Sequence, residues 1–91
     1  MDKKIKNCVH LTPFQKKVLL ATLEIPKGET RSYKWVGKRI GSKAYRAIGQ
    51  ALKINPYAPE VPCHRVIASD GSIGGYAGGV AKKRELLRQE L

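Results

Sequence analysis

A tight Gly41-Ser42 turn between two segments of helical periodicity constrains the fold more than any other feature of this chain. Ser32 is placed to cap the first helix, Gly41 to end it and Ser42 to cap the second. The apolar or small positions are Tyr33, Val36, Gly37 and Ile40 in the first helix and Ala44, Ala47, Ile48, Ala51 and Leu52 in the second. Two short helices joined in this way are typical of a helix-turn-helix, although any small helical domain can show the pattern.

Helices are also predicted before and after this unit. Thr12-Pro13-Phe14-Gln15 provides an N-cap, a proline at the first helical position and a capping-box glutamine, and this helix should end before Pro26. A last helix should begin at about Val80. Its leucines, Leu86, Leu87 and Leu91, are expected to face inward. Its basic residues are expected on a solvated face: Lys82, Lys83, Arg84 and Arg88.

A short β-hairpin is predicted between these helices. Val66-Ile67-Ala68 has the character of a strand, Asp70-Gly71 that of a hairpin turn, and Ile73 would begin the return strand. The predicted fold class is therefore a mainly α, winged-helix-like helix-turn-helix domain with a short β-hairpin and a C-terminal helix.

The charge of the chain favours a polyanionic partner. Its 91 residues are enough for one domain, and 18 Lys and Arg against 7 Asp and Glu leave a net charge of +11. Nucleic acid is the simplest partner, and an anionic membrane surface is the rival. No apolar run is long enough to span a bilayer and no apolar signal segment follows Met1, so no membrane insertion is expected. Of the two polyanionic partners, nucleic acid rather than a membrane is predicted. Residues 1–10 are predicted to form a flexible basic arm, and residues 11–91 the domain.

The cysteine count argues against both a disulfide scaffold and a zinc site. Cys8 and Cys63 are the only cysteines, and no group of Cys and His has the spacing of zinc ligands. We therefore expect free thiols in the reducing cytoplasm and no metal.

Chemistry is concentrated in Pro62-Cys63-His64-Arg65-Val66. The thiolate is the nucleophilic form of cysteine, and neighbouring basic groups favour it. His64 offers a base, Arg65 a fixed positive charge, and Pro62 a rigid turn. The simpler alternative is a small buried cysteine in a basic loop, because adjacent residues need not face each other.

The predicted second helix of the helix-turn-helix carries small residues where base-reading side chains would be expected. Ala44, Ala47, Gly49 and Ala51 accompany a single Arg46. Small residues allow close approach to a narrow groove, but they equally allow tight packing of helices. Both interpretations remain open from the sequence.

A glycine-rich segment at residues 74–79 permits close approach of a ligand. It lacks the Lys-Ser/Thr of a P-loop and does not follow the dinucleotide-binding pattern, so no phosphate-bearing cofactor is expected.

Taken together, four segments resemble the O6-alkylguanine-DNA alkyltransferase family: residues 62–66, residues 74–79, Ser32-Tyr33 and Arg46-Ala47-Ile48-Gly49. The resemblance runs from about Leu11 to the end of the chain and covers that family's C-terminal, DNA-binding and active domain. The usual N-terminal domain of the family has no counterpart, so a stand-alone catalytic domain is expected.

The resemblance implies a catalytic role for five residues. Cys63 would accept the alkyl group from guanine O6, and His64 would deprotonate it through a bound water. Glu90 would orient and charge that histidine, and Asn55 would brace the turn that holds the cysteine. Tyr33 would crowd the target's phosphate and donate to guanine N3.

The resemblance also implies a DNA-binding helix in the minor groove and a pocket for the base. Arg46 would fill the space left by the rotated nucleotide, beside Ala47, Gly49 and Tyr45, the last being larger than the alanine expected there. The pocket would be formed by the side chains of Leu52 and Tyr76, the main-chain carbonyls of Cys63 and Val66, and the main-chain N–H of Ala77.

The implied function is DNA repair in a single turnover, because the thioether product is not readily cleaved by water. The partner would be double-stranded DNA containing O6-alkylguanine, bound by a monomer. One alternative is an alkyltransferase-like protein that binds such lesions without repairing them, although those proteins replace the cysteine. Another is a helix-turn-helix regulator with an idle thiol.

Overall fold

The structure is a computed structural model that describes residues 1–57, 60–68 and 80–90. Within these residues the chain is mainly helical, which confirms the predicted class. The elements in order are α1 (Asp2–Lys6), α2 (Pro13–Thr22), β1 (Arg31–Ser32), α3 (Tyr33–Ile40), α4 (Tyr45–Lys53), a 3-10 turn (Cys63–Arg65), β2 (Val66–Ile67) and α5 (Val80–Gln89).

Helix α2 begins as its sequence predicts. The Thr12 hydroxyl accepts from the Gln15 amide at 3.1 Å, and the Gln15 side chain accepts from the Thr12 amide at 2.9 Å. These two bonds satisfy amide groups that a helix start otherwise leaves exposed. The helix ends at Thr22, before Pro26.

The turn between α3 and α4 follows the prediction on one side only. The Ser32 hydroxyl caps α3 by accepting from the Trp35 amide, and Gly41 ends it with a φ of 71°. Ser42, however, does not cap α4, because its hydroxyl accepts from the Ala44 amide inside the turn. Helix α4 therefore begins only at Tyr45, with Ala44 as a cap residue that makes no side-chain bond.

The core lies between α2, α3 and α4 and is completed by α1 and by the segment around the 3-10 turn. Its buried apolar side chains are Ile5, Leu11, Val18, Leu19, Ala21, Ile25, Val36, Ile48, Ala51, Leu52, Val61, Cys63 and Val66. Among the described helices, none combines the length and the apolar character that a membrane span requires.

The two short strands form a parallel pair that the sequence did not predict. Arg31 pairs with Val66, and Ser32 pairs with Ile67. The expected hairpin turn and the return strand at Ile73 lie outside the described residues. The pairing brings the start of α3, and with it Tyr33, beside the strand that follows the 3-10 turn.

The N-terminal residues, for which the basic composition predicts a flexible arm, contain a short helix. Asp2–Lys6 form α1, and the side chain of Ile5 is completely buried in the core. A single well-placed apolar residue can hold a short basic segment against the domain through the area it removes from water. The predicted flexibility of residues 1–10 and the division at residue 10 both stay predictions.

Candidate active site

Cys63 opens the 3-10 turn and is held by main-chain bonds on both sides. Its amide donates to Val61 O at 2.8 Å, and the Arg65 amide donates to Pro62 O at 2.9 Å. The cysteine is 2% exposed, and both cysteines of the chain, which lie in its described part, are thiols. The sulfur therefore lies at a fixed place in the turn, and a short strand leads away from it.

Asn55 spans the loop that precedes this turn. Its Nδ2 donates to Val61 O at 2.9 Å, and its Oδ1 accepts from the Tyr57 amide at 2.9 Å. The side chain is buried and bonded at both ends, whereas Ile54 occupies the C-cap position of α4. The geometry is that of a brace for the loop before Cys63, and its effect on chemistry stays a prediction.

His64 and Glu90 are brought together from opposite ends of the last third of the chain. His64 Nε2 lies 3.1 Å from Glu90 Oε2, and the carboxylate is only 11% exposed. Because an ionised carboxylate can only accept, Nε2 must carry the hydrogen of this bond. The buried Nδ1 is then the basic nitrogen of the neutral imidazole.

Arg65 fixes the same carboxylate, a role that the sequence did not reveal. Its Nε and Nη2 donate to Glu90 at 3.0 and 2.5 Å, and its Nη1 donates to Ile25 O at 2.8 Å. The hydrogen bonds that Glu90 accepts from Arg65, followed by the one from His64, lower the pKa of Glu90 to about 2 against the opposing effect of burial. Glu90 is therefore ionised at neutral pH, and the end of α5 is tied to the 3-10 turn.

Lys83 is the second residue that sequence reasoning missed. It was expected on a solvated face, but its side chain is completely buried and Nζ donates to Val66 O at 2.6 Å. Burial lowers its pKa to about 8, against an opposing attraction to Cys63. At neutral pH the ammonium is still charged, so a buried positive charge lies within electrostatic reach of the sulfur.

Helical spacing could have indicated this position for Lys83. It precedes Leu87 by four residues, so the two share one face of α5, and Glu90, seven residues on, follows directly after the end of the helix. The neighbouring Lys82 and Arg84 are exposed, as expected of basic residues on a helix surface.

The small residues of α4 divide between core and surface. Ala51 is buried in the core, but Ala47 is exposed, and among the described residues a Cβ added to Gly49 would meet no atom within 4 Å beyond its chain neighbours and its own helix backbone. Tight helix packing therefore explains Ala51 and leaves Ala47 and Gly49 unexplained. Arg46 is exposed at the second position of the helix, on the part of α4 that remains open to a partner.

Tyr45 packs against Gly37 of α3, where any larger residue would clash with its ring. A Cβ on Gly37 would lie 2.9 Å from Tyr45 Cε1 and 2.5 Å from Ser42 O. Tyr45 keeps part of its ring exposed, so it contributes both to this contact and to the surface around Arg46.

The remaining predicted site residues are placed as follows. Leu52 and Val66 are buried in the core, and Tyr33 is half-buried at the start of α3. Tyr76 and Ala77 lie outside the described residues. The roles proposed for all these residues stay predictions.

Comparison with known families decides where this chain belongs. The profile of the family described as 6-O-methylguanine DNA methyltransferase, DNA binding domain, matches residues 13–91. The chain belongs to this family. The resemblance seen in residues 62–66 and 74–79 is thereby confirmed.

Relatives within the methyltransferase family are similar to this chain over most of its length. The methylated-DNA–protein-cysteine methyltransferases of Methanosarcina barkeri and Mycobacterium tuberculosis are 54% and 51% identical to it over 80 residues, or 87% of the chain. These 80 residues make up 51% and 48% of the relatives, so the chain spans about half the length of the curated relatives it matches.

Solved structures agree with the family assignment. Mycobacterium tuberculosis OGT in complex with DNA superposes with a TM-score of 0.85 at 51% identity, covering 88% of this chain and 50% of that one. The O6-methylguanine-DNA methyltransferase of Pyrococcus kodakaraensis gives 0.79 at 42% identity, covering 88% and 47%. The described helices thus have the arrangement of a methyltransferase DNA-binding domain.

Proposed function

We propose that this chain repairs double-stranded DNA by transferring an alkyl group from guanine O6 to the sulfur of Cys63. The observation that carries the proposal is the contact of His64 Nε2 with Glu90 Oε2, made by the residue directly after the cysteine. A base held by a buried carboxylate beside a thiol is the arrangement that activates a cysteine nucleophile. Its relatives named methylated-DNA–protein-cysteine methyltransferase support this assignment.

The proposed reaction is a displacement at the alkyl carbon. The thiol proton passes to His64, the sulfur forms the new C–S bond, and the C–O6 bond breaks with its electron pair left on guanine. Tyr33 would supply a hydrogen bond or proton to the departing base. Ionised Glu90 stabilises the imidazolium that forms, and the Lys83 ammonium stabilises the thiolate. Because water does not readily cleave a thioether, each molecule acts once.

The stacked base must leave the helix before the sulfur can reach it. Extruding a nucleotide costs a few kcal/mol of stacking and pairing. The exposed Arg46, flanked on α4 by the small residues Ala47 and Gly49, could enter the minor groove and occupy the vacated space. Base flipping would thus account for the exposed Arg46 and the small residues beside it on α4.

The decisive experiment is transfer of a labelled methyl group from an O6-methylguanine duplex. Proteolysis and mass spectrometry should find one added methylene mass on the peptide containing Cys63, at no more than one per protein molecule. Cys8→Ser should accept the label equally well and Cys63→Ser not at all. Label on another peptide, or no label on the unaltered protein, would exclude the proposal.

The second candidate function is binding of the lesion without repair. The burial of Cys63 favours it, because a buried sulfur is less accessible to a substrate. This candidate predicts tight binding to O6-methylguanine duplex with the methyl group still on the DNA after prolonged incubation.

Arg46→Ala should separate base extrusion from chemistry. We expect transfer from duplex DNA to slow by about ten-fold or more. Extruding the base costs a few kcal/mol, and without Arg46 the part of this cost that its side chain offsets is no longer offset. Reaction with free O6-alkylguanine base should be nearly unchanged, because no stacking has to be broken. Single-turnover rates with the two substrates measure the difference, and equal losses would remove this role from Arg46.

Gly49→Ala should increase stability and decrease DNA affinity. Alanine is favoured over glycine inside a helix by about 0.5–1 kcal/mol, and no other part of the described chain comes within 4 Å of the added Cβ. A backbone in contact with the groove would be held away by that methyl group, so DNA binding should weaken by about five-fold. Thermal unfolding and fluorescence anisotropy measure the two effects.

Gly37→Ala is the matched control for this test. Its Cβ would meet Ser42 O and Tyr45, so the substitution should destabilise the domain by about 1–3 kcal/mol. If Gly49→Ala left DNA affinity unchanged, close approach of DNA to this helix would be contradicted.

A further inference from the structure

We infer that Tyr57 is a positioning residue that connects the N-terminal helix α1 to the loop carrying Cys63. One end of Tyr57 takes part in the hydrogen bonds that shape this loop, and the other end contacts α1. The residues that its hydroxyl contacts, Lys4 of α1 and Cys8, lie outside the region that the family profile matches, residues 13–91. The N-terminal segment would then belong to the functional unit.

The main chain of Tyr57 lies in the loop before the cysteine. Its amide donates to Asn55 Oδ1 at 2.9 Å, and its carbonyl accepts from the Val61 amide at 2.9 Å. The Val61 carbonyl in turn accepts from Asn55 Nδ2 and from the Cys63 amide. A shift of Tyr57 would therefore be transmitted to the main chain of Cys63 through two hydrogen bonds.

The side chain of Tyr57 reaches back to the N-terminal segment. Its hydroxyl reaches two acceptors of the N-terminal segment, Lys4 O at 3.3 Å and the Cys8 sulfur, and its single hydrogen is donated to one of them at a time. Donation to the sulfur is the main cause of the lowered pKa of Cys8. The Tyr57 ring also packs against the core that contains Ile5.

Helix α1 is itself anchored, so it can serve as a fixed support. Ile5 is completely buried, and Lys16 Nζ of α2 donates to Lys6 O at 2.8 Å. A loop hydrogen-bonded to a fixed element opens less often than one that is held only by its own bonds. We therefore expect the hydroxyl of Tyr57 to limit opening of the Cys63 loop, which under the proposed function keeps the sulfur in place for transfer.

Tyr57→Phe tests this inference in the 91-residue chain. The substitution removes the hydroxyl and keeps the ring and all main-chain bonds. We expect amide hydrogen exchange at Val61, Cys63 and Arg65 to become about five-fold faster, the effect of one lost hydrogen bond on local opening. Exchange in the middle of α2 should be unchanged, and methyl transfer to Cys63 should slow by a similar factor.

Val9→Ala is the matched control, because this residue lies in the same segment and is 87% exposed. It should leave exchange at the three loop amides and the transfer rate unchanged. Unaltered exchange in Tyr57→Phe, or an equal increase in α2 and in the loop, would overturn the positioning role. The exchange measurement needs no DNA, so it decides this inference even if the unaltered protein transfers no methyl group and the proposed function fails.

Discussion

Glu90→Gln should slow methyl transfer to Cys63 by about 10²-fold, the lower range of the contribution of a positioned base and its orienting group. The neutral amide cannot stabilise the imidazolium that forms when His64 takes the thiol proton. It also presents both a donor and an acceptor to Nε2, so the tautomer with a basic Nδ1 is no longer enforced. Single-turnover kinetics with an O6-methylguanine duplex measure the effect.

Glu85→Gln is the matched control for this substitution. Glu85 lies on α5, the helix that directly precedes Glu90, and forms an exposed ion pair with Arg88. Its replacement should change the transfer rate by less than about two-fold, because exposed pairs contribute little. Equal rates for Glu90→Gln and the unaltered protein, both measured well below their unfolding temperatures, would contradict the proposed role of Glu90.

The Glu90 carboxylate should make the stability of the domain sensitive to acid. Its pKa is lowered to about 2 in the folded state, so its interactions stabilise the protein fully at pH values above its ordinary range near 4.5. This contribution is lost as the pH falls from about 4.5 towards 2. In Glu90→Gln the acid limb of the stability curve should be correspondingly shallower.

Lys83→Met should slow methyl transfer by about ten-fold at neutral pH without loss of stability. The ammonium is buried and attracted to Cys63, so its removal takes away a charge that favours the thiolate. Methionine can fill a similar space without burying a charge, and such replacements are often neutral or stabilising. The pH midpoint of Cys63 alkylation by iodoacetamide should move upward in parallel.

Lys82→Met tests whether the effect on Cys63 depends on the buried position of Lys83 or only on the net charge of the chain. Lys82 is the exposed neighbour on α5, and its replacement removes the same formal charge. The alkylation midpoint should stay within about 0.2 pH units of the unaltered protein, because exposed charges are screened. If both variants shifted the midpoint equally, the electrostatic role of buried Lys83 would be excluded.

The lowered pKa of Lys83 also predicts how the stability of the domain changes at alkaline pH. Its pKa is lowered to about 8 when folded and returns to about 10.5 when unfolded, so the unfolded chain binds more protons between these values. Stability should therefore rise from pH 8 to 10.5 by up to roughly 3 kcal/mol, and Lys83→Met should abolish this rise. Urea unfolding across this range measures it.

Local sequence signals predicted the elements whose causes are local. Thr12 and Gln15 cap α2, Ser32 caps α3, and Gly41 ends α3, because each acts through bonds to residues within a few positions. The same reasoning was wrong for Ser42, whose hydroxyl bonds within the turn. A serine before a helix has two such partners within reach, and the surrounding packing decides between them.

By itself, the sequence determined the helical class, the family and the cysteine-histidine pair, since these depend on periodicity, caps and a specific short motif. Only the tertiary structure decided that Arg65 holds Glu90 against His64, that Lys83 is buried at the Val66 carbonyl, and that α1 packs on the core through Ile5. The physical reason is that burial and pairing of charges depend on which distant segments meet. A lysine on a helix looks the same in the sequence whether its side chain is in water or lies near the sulfur of a cysteine that is twenty residues away, as Cys63 is from Lys83.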